Sequence, residues 1–163
     1  MRLLWMLGVC AVAMFLLAGC LAEPATPSRN APGGPTQLMD VSAREAQVLN
    51  ALRARHGLPA LGTDPVLVRI ARRHGQDMLN NGFFGHVSSD GGSIVDRTRA
   101  EGYGFCHVAE NLAMGHKTFD HVMRQWMTSP SHRSNLLHQN VDDFGLVQGP
   151  GNLWVLVLGR PGC

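Results

Sequence analysis

Apolar residues recur every three or four positions along three stretches of this chain, and along two others they run almost unbroken. Ala46, Leu49 and Leu52, with Val48 beside them, describe one face of a helix. Ser42-Ala43-Arg44-Glu45 ahead of them is a capping-box signature, and His56-Gly57 marks the end. Asp64-Pro65, an N-cap followed by the proline a first turn tolerates, opens a second helix. Leu67, Ile70, Ala71, His74 and Met78 form its stripe, and Asn80-Asn81-Gly82 stops it. A Thr118 cap begins a third, with Phe119, Val122, Met123 and Trp126 at i, i+3, i+4 and i+7; Ser129-Pro130 ends it and caps a fourth. Phe144 to Gln148 and Leu153 to Leu158, separated by Gly149-Pro150-Gly151-Asn152, read as a closing hairpin. Its second strand is apolar on both faces, which predicts a central place in the sheet. Tyr103 to Ala113 is too mixed for a helix and supplies a further strand around Val108. There is no internal repeat.

The N-terminal apolar run has a different meaning. Arg2 supplies a short positive region, Leu3 to Leu17 is charge-free, and Ala18-Gly19 are the small residues a signal peptidase needs. Cys20 follows at once, so that Leu17-Ala18-Gly19-Cys20 resembles the bacterial lipobox, in which the cysteine is joined to diacylglycerol and becomes the new N-terminus. The competing reading is an uncleaved transmembrane helix from Leu3 to Ala22, but no basic stop-transfer cluster follows, only Glu23 and Pro24. Pro24, Pro27, Pro32 and Pro35 with Gly33-Gly34 leave too few apolar side chains to offset the entropy of ordering this stretch. The expected organisation is a leader over 1–19, a lipidated Cys20 with a tether over 20–40, and one domain over 41–163. At about 3.1 Å per residue the tether reaches up to roughly 60 Å. Leu21 is not the aspartate that retains many enterobacterial lipoproteins at the inner membrane, which favours the outer membrane where the cell has one.

Charge narrows the partners. The chain has 14 Lys and Arg against 12 Asp and Glu, and losing Arg2 with the leader brings them almost level. No basic stripe or aromatic-interleaved patch is present, so nucleic acid is not an expected partner. Cys10 leaves with the leader and Cys20 takes lipid, so only Cys106 and Cys163 remain in the domain. Two thiols in an oxidising compartment suggest one disulfide. All 8 histidines fall between His56 and His138.

The chemistry-bearing pieces lie in the connections: Phe83-Phe84-Gly85-His86-Val87-Ser88, then Val108-Ala109-Glu110-Asn111-Leu112, then Trp126 through Ser129-Pro130-Ser131-His132-Arg133-Ser134-Asn135-Leu136-Leu137. In this order, with Leu67, Ala71, His74 and Met78 ahead and Phe144-Gly145 behind, they resemble the bacterial branch of the CAP superfamily: cysteine-rich secretory proteins, antigen five and plant pathogenesis-related proteins. The resemblance covers roughly Leu49 to Gly159. It implies an α+β fold, a three-layer α-β-α sandwich with a small central antiparallel sheet. It also implies a cleft lined by two histidines and two acids, which in several members holds zinc or another divalent ion. His86 matches the first histidine, Glu110 the acid of the Glu-Asn pair and His132 the second histidine. Ser129 stands where members outside the bacterial branch often carry the second acid, and that loss weakens attraction for a cation.

Taken without the resemblance, these residues keep their alternatives. His132 follows a Ser129 N-cap, where the helix dipole disfavours imidazolium and favours the neutral ring a metal requires; it also fits a packing role. His86 is equally readable as a turn histidine, and Glu110 as a buried carboxylate pinning two strands through backbone hydrogen bonds. His74, on an apolar stripe, is expected to be a core histidine bonded to a neighbour, and His116, His121 and His138 to be solvated. The helical zinc-protease signature, a nucleophile elbow, a P-loop and a dinucleotide fingerprint are all absent from the sequence.

Two function classes survive. The first is a non-enzymatic, membrane-anchored module that binds an apolar or cell-envelope ligand, or a protein partner, at the His86, Glu110 and His132 cleft. The second is a metal-assisted hydrolase in which His86 and His132 hold one divalent cation, zinc, and Glu110 activates its water. The absence of a recognisable nucleophile beside a base favours the first.

Overall fold

The computed structural model describes residues 35–41 and 43–162. The leader, most of the tether, the lipid site expected at Cys20, the Ser42 cap and Cys163, one end of the expected disulfide, lie outside the described residues. In chain order the elements are β1 (Met39–Asp40), α1 (Ala43–Arg55), β2 (Gly62–Thr63), α2 (Pro65–Asn81), α3 (Ile94–Ala100), β3 (Phe105–Ala113), α4 (Phe119–Thr128), α5 (Pro130–Leu136), β4 (Asp143–Gly149) and β5 (Leu153–Pro161).

The local signals act as their chemistry requires. The Asp64 side chain accepts from the backbone N–H of Val66 at 2.7 Å and of Leu67 at 2.9 Å, satisfying two orphan donors of α2. Gly82 ends that helix in the left-handed region at φ 64°. Thr118 caps α4 through His121 N–H.

The sheet runs in the order β1-β4-β5-β3, antiparallel throughout, with the two-residue β2 joining β4 in parallel. β5 is thus internal, as its two-sided apolar pattern predicts. Its Leu153, Val155 and Val157 pack into a core with Leu67, Ile70, Ala71 and Met78 of α2. Trp154, Leu156 and Leu158 face the other way, into a core with Leu49, Phe119, Val122 and Trp126 of α1 and α4. Two apolar cores on opposite faces of one sheet make the three-layer α-β-α sandwich. Each fully buried aliphatic or aromatic side chain contributes about 1.5–3 kcal/mol, so β5 is the strand whose loss would open both cores. α2 lies so close to β4 that a Cβ on Gly145 would sit 2.2 Å from the backbone of Leu67 and Val68.

Two features depart from expectation. The segment expected to remain tether through Asp40 joins the fold at its last residues: Leu38 is buried against Gly75 and Gly149, and Met39 and Asp40 pair with Gln148 and Val147. Arg72 fastens it, donating to the Leu38 carbonyl at 2.6 Å and to Asp40 Oδ1 at 2.5 Å. The folded part therefore begins upstream of Val41. The second departure is α3, whose Ser93 and Asp96 form a reciprocal capping box. No helix among the described residues is long and apolar enough to cross a membrane.

Candidate functional site

Alternation along β3 sets the site. Ala109 and Ala113 face the α1/α4 core while Val108 and Leu112 face the α2 core, so Glu110 points toward α2 and α3. Its carboxylate is only 2% exposed, and a carboxylate there must be paired. Arg97 of α3 donates from Nη2 to Oε2 at 2.8 Å, and His86 from Nδ1 to Oε1 at 2.9 Å. A carboxylate only accepts, so His86 carries its proton on Nδ1 and Nε2 is its remaining polar atom. The His86 side chain is 57% exposed. His74, fully buried on α2, donates from Nε2 to the Gly85 carbonyl at 2.8 Å and lies 3.8 Å from Glu110 Oε1.

Arg97 also organises the loop that carries His86. Its Nη1 donates to the His86 carbonyl at 3.0 Å, to Ser88 Oγ at 2.8 Å and to the Gly92 carbonyl at 3.3 Å. One guanidinium thus bridges a buried carboxylate and a surface loop, a geometry that its rigid fork of donors suits. Phe84 and Val87, on either side of His86, are 50% and 58% exposed. They make the exposed rim of the His86 loop apolar.

His132 reaches the region from the other side of the edge strand. Asn135 Nδ2 donates to the Glu110 carbonyl at 3.2 Å and to Asn111 Oδ1 at 2.9 Å, while Asn111 Nδ2 donates to the His132 carbonyl at 3.0 Å. This ladder of amides clamps α5 onto the outer edge of β3. The ring of His132 leans on Trp126 at a centroid distance of 6.4 Å, and its Nδ1 is buried without a hydrogen-bond partner among the described residues.

The electrostatics separate the two histidines. The hydrogen bond to Glu110, aided by that carboxylate's charge, raises the pKa of His86 above the usual histidine value. Burial lowers that of His132, and the charge of nearby His86 lowers it further. Neutrality at His132 therefore comes from desolvation and a neighbouring imidazole. The Ser129 side chain makes no cap bond to α5; its Oγ lies 3.3 Å from Ser131 Oγ.

The donor set answers whether a divalent ion fits. Both Glu110 oxygens are engaged, one by a guanidinium that is itself a resident cation. Among the described residues no three of His, Cys, Asp and Glu gather in a group able to hold a metal ion. A zinc site needs three or four converging ligands, and these residues as arranged do not fit one. The reading of Glu110 as a carboxylate bonded to backbone also needs correction, because its partners are side chains.

Arg97, Asn111 and Asn135 complete the site without having been singled out from sequence. The Asn111 and Asn135 letters stood inside the motifs, yet their partners are distant in the chain. His74 behaves as a core histidine. His138, expected to be solvated, instead stacks on His107 with ring centroids 3.8 Å apart.

Comparison with known proteins shows the family and the fold. A model of the cysteine-rich secretory protein family, CAP, matches residues 46–151. An uncharacterized protein of Bacillus subtilis (strain 168), YkwD, is 34% identical over 141 residues, covering 84% of this chain and 52% of that protein. A membrane protein of the same organism, YlbC, is 32% identical over 105 residues, covering 63% of this chain and 30% of its own length. The chain thus spans about half of the first relative and under a third of the second. Among solved structures, an extracellular protein of Bacillus anthracis containing an SCP domain matches with TM-score 0.67 and 29% identity, over 72% of this chain and 39% of that one. An outer surface protein of Borrelia burgdorferi matches with TM-score 0.67 over 76% of this chain and 98% of that one, and at 21% identity shares the fold alone.

Proposed function

This chain belongs to the cysteine-rich secretory protein (CAP) family, and we propose that it is an extracytoplasmic, lipid-anchored binding module rather than an enzyme. The observation that carries the reading is the saturation of Glu110. A carboxylate held by Arg97 and His86 in a site 2% exposed is poised to orient an imidazole, not to activate water or ligate a metal. What faces outward is His86, with Phe84 and Val87 beside it. That combination suits an apolar or amphiphilic cell-envelope ligand, or a protein partner, whose polar group meets His86 Nε2 and whose apolar part covers the rim. Hydrolysis through a bound ion has no matching donor set among the described residues.

Anchoring rests on Leu17-Ala18-Gly19-Cys20 and the Pro-rich stretch behind it. Lipidated Cys20 would hold the domain at a membrane, the outer one where the cell has two. The proposed crosslink joins Cys106 to Cys163. β3 and β5 support it, since Phe105 pairs with Pro161 and Gly162 N–H bonds the Gly104 carbonyl at 3.1 Å, which keeps the chain as far as Gly162 alongside the strand that carries Cys106.

Substituting the rim tests the binding reading. Phe84→Ser/Val87→Ser should abolish association of the purified protein with a soluble short-chain phospholipid while leaving the melting temperature within a few degrees, since both side chains are exposed. Undiminished association would refute the assignment of this rim as the contact surface.

A further inference from the structure

The connection from α5 to β4, over residues 137–141, is fastened to the sheet by a pair of imidazoles. His107 stands on β3 two residues before Ala109 and so faces the side of α1, α4 and α5. Its ring stacks on that of His138, just past the end of α5, with centroids 3.8 Å apart and planes inclined by 12°. His138 Nδ1 accepts from Asn140 N–H at 3.1 Å, so that nitrogen is unprotonated. A second proton on the His138 ring must displace that bond. His107 Nε2 is buried with no hydrogen-bond partner among the described residues.

The surroundings oppose positive charge. Arg53 of α1 is fully buried and stays ionised. Its Nη1 donates to the Leu136 carbonyl at 2.9 Å and the His138 carbonyl at 3.1 Å, and its Nε to the Pro59 carbonyl at 2.9 Å. Arg133 of α5 lines the same surface hollow as His138, and Arg160 of β5 is the register neighbour of His107. Asp142 is the acid that acts on Arg53, and it lies 3.7 Å from Arg160 with both side chains half-exposed. Three cations thus share one carboxylate around the stack. Burial lowers the pKa of His107, and the adjoining His138 lowers it further. Protons on both rings would press two like charges together beside a buried guanidinium. A charged His107 would also carry a buried N–H without an acceptor.

We propose that the His107 and His138 stack is an acid-sensitive latch, whose protonation frees the α5 to β4 connection and the C-terminal end of α5. The far end of the connection stays fixed, because Val141 is fully buried and Asp142 N–H bonds the Gly159 carbonyl at 2.9 Å. What moves is the part held by the rings and by the two Arg53 bonds to the carbonyls of Leu136 and His138. α5 also carries His132 and Asn135, so opening the latch loosens the amide clamp on β3. The direction follows from His107: with its folded pKa below the ordinary value of about 6.5, the latch is closed above that pH and opens as pH falls toward the folded value. The latch does not rest on the binding reading for His86.

The test is amide hydrogen exchange of the full folded protein at about pH 7 and about pH 5, corrected for the intrinsic pH dependence of exchange. Protection at Leu137, His138 and Asn140 should fall about tenfold or more, since each proton taken up on opening shifts the equilibrium tenfold per pH unit. The amides of β5 should keep theirs. His107→Phe/His138→Phe retains two flat rings that cannot take a proton, and should abolish the acid-induced loss. His138→Phe alone should leave a smaller loss, which keeps the test decisive if the double variant does not fold. Equal protection at both pH values, a parallel loss throughout β5, or a loss undiminished in the variants would each overturn the proposal.

Discussion

Arg97 and Glu110 meet across 2.8 Å with side chains only 11% and 2% exposed, a buried ion pair that joins α3 to β3. Through the other arm of the same guanidinium, the pair holds the loop on which His86 stands. The position of an exposed imidazole is thereby set by a buried contact one layer below it.

Removing that contact should be severe. Arg97→Met leaves Glu110 uncompensated in a low-dielectric site, and breaking a buried pair from one side costs about 3–5 kcal/mol. Urea unfolding of the variant should show a loss in that range. Arg97→Lys should recover part of it, since an ammonium can neutralise Glu110 but cannot also fork to the loop.

Histidine titrations should split in opposite directions. His86, whose pKa Glu110 raises, should titrate above the usual histidine value of about 6.5, and His74 and His132 below it. The linkage follows these signs. His86 contributes stability that is complete below about pH 6.5 and is lost as pH rises through its folded pKa, whereas His74 and His132 contribute stability present above about pH 6.5 and lost as pH falls through theirs. Proton NMR of the ring resonances checks the order, and Glu110→Gln should bring His86 back down.

Gly145→Ala should be poorly tolerated. The added carbon would meet backbone atoms of Leu67 and Val68 at 2.2 Å, and backbone cannot rotate away as a side chain can. The helix must shift off the sheet, at a cost of about 3 kcal/mol or more. A melting temperature close to that of the natural protein would show that α2 does not pack on β4 this closely.

Asn135→Ala should act at a distance on His132. It removes the bonds to Glu110 and Asn111 that clamp α5, destabilising the domain by about 1–3 kcal/mol. The pKa of His132 should then rise toward the ordinary histidine value as its ring gains solvent. An unchanged His132 titration would show that Trp126 packing alone positions the ring.

The crosslink is checked chemically. In the chain-entropy model a loop closed between Cys106 and Cys163 contributes about 4 kcal/mol, so reduction should lower the melting temperature. Alkylation of both thiols in denatured, unreduced protein would show that the bond does not exist.

What was legible in the chain was what lies close along it. Asp64 reaches two and three residues forward to cap α2, and Thr118 three residues to cap α4, so their signals are intact in any short window. The two-sided apolar character of Leu153 to Leu158 placed β5 inside the sheet. β1 and β2 are two residues each, too short for a period. α3 did carry its capping box at Ser93 and Asp96, but only seven residues follow with no clear stripe. For the site, motif order found His86, Glu110 and His132. It did not find Arg97, because an arginine on an anonymous short helix gains its meaning only from a carboxylate 13 residues away on a strand. Leu38 was hidden for a similar reason: the small surfaces of Gly75 and Gly149 that receive it lie far along the chain.

The central claim is that the His86 face binds its ligand without a metal ion. The direct measurement is an amide-resolved NMR titration of the folded protein with short-chain phosphatidylglycerol in the presence of EDTA. The account predicts saturable shifts at Phe84, His86 and Val87 that vanish in Phe84→Ser/Val87→Ser. Shifts that appear only after one equivalent of zinc is added, or catalytic turnover that EDTA abolishes, would contradict it.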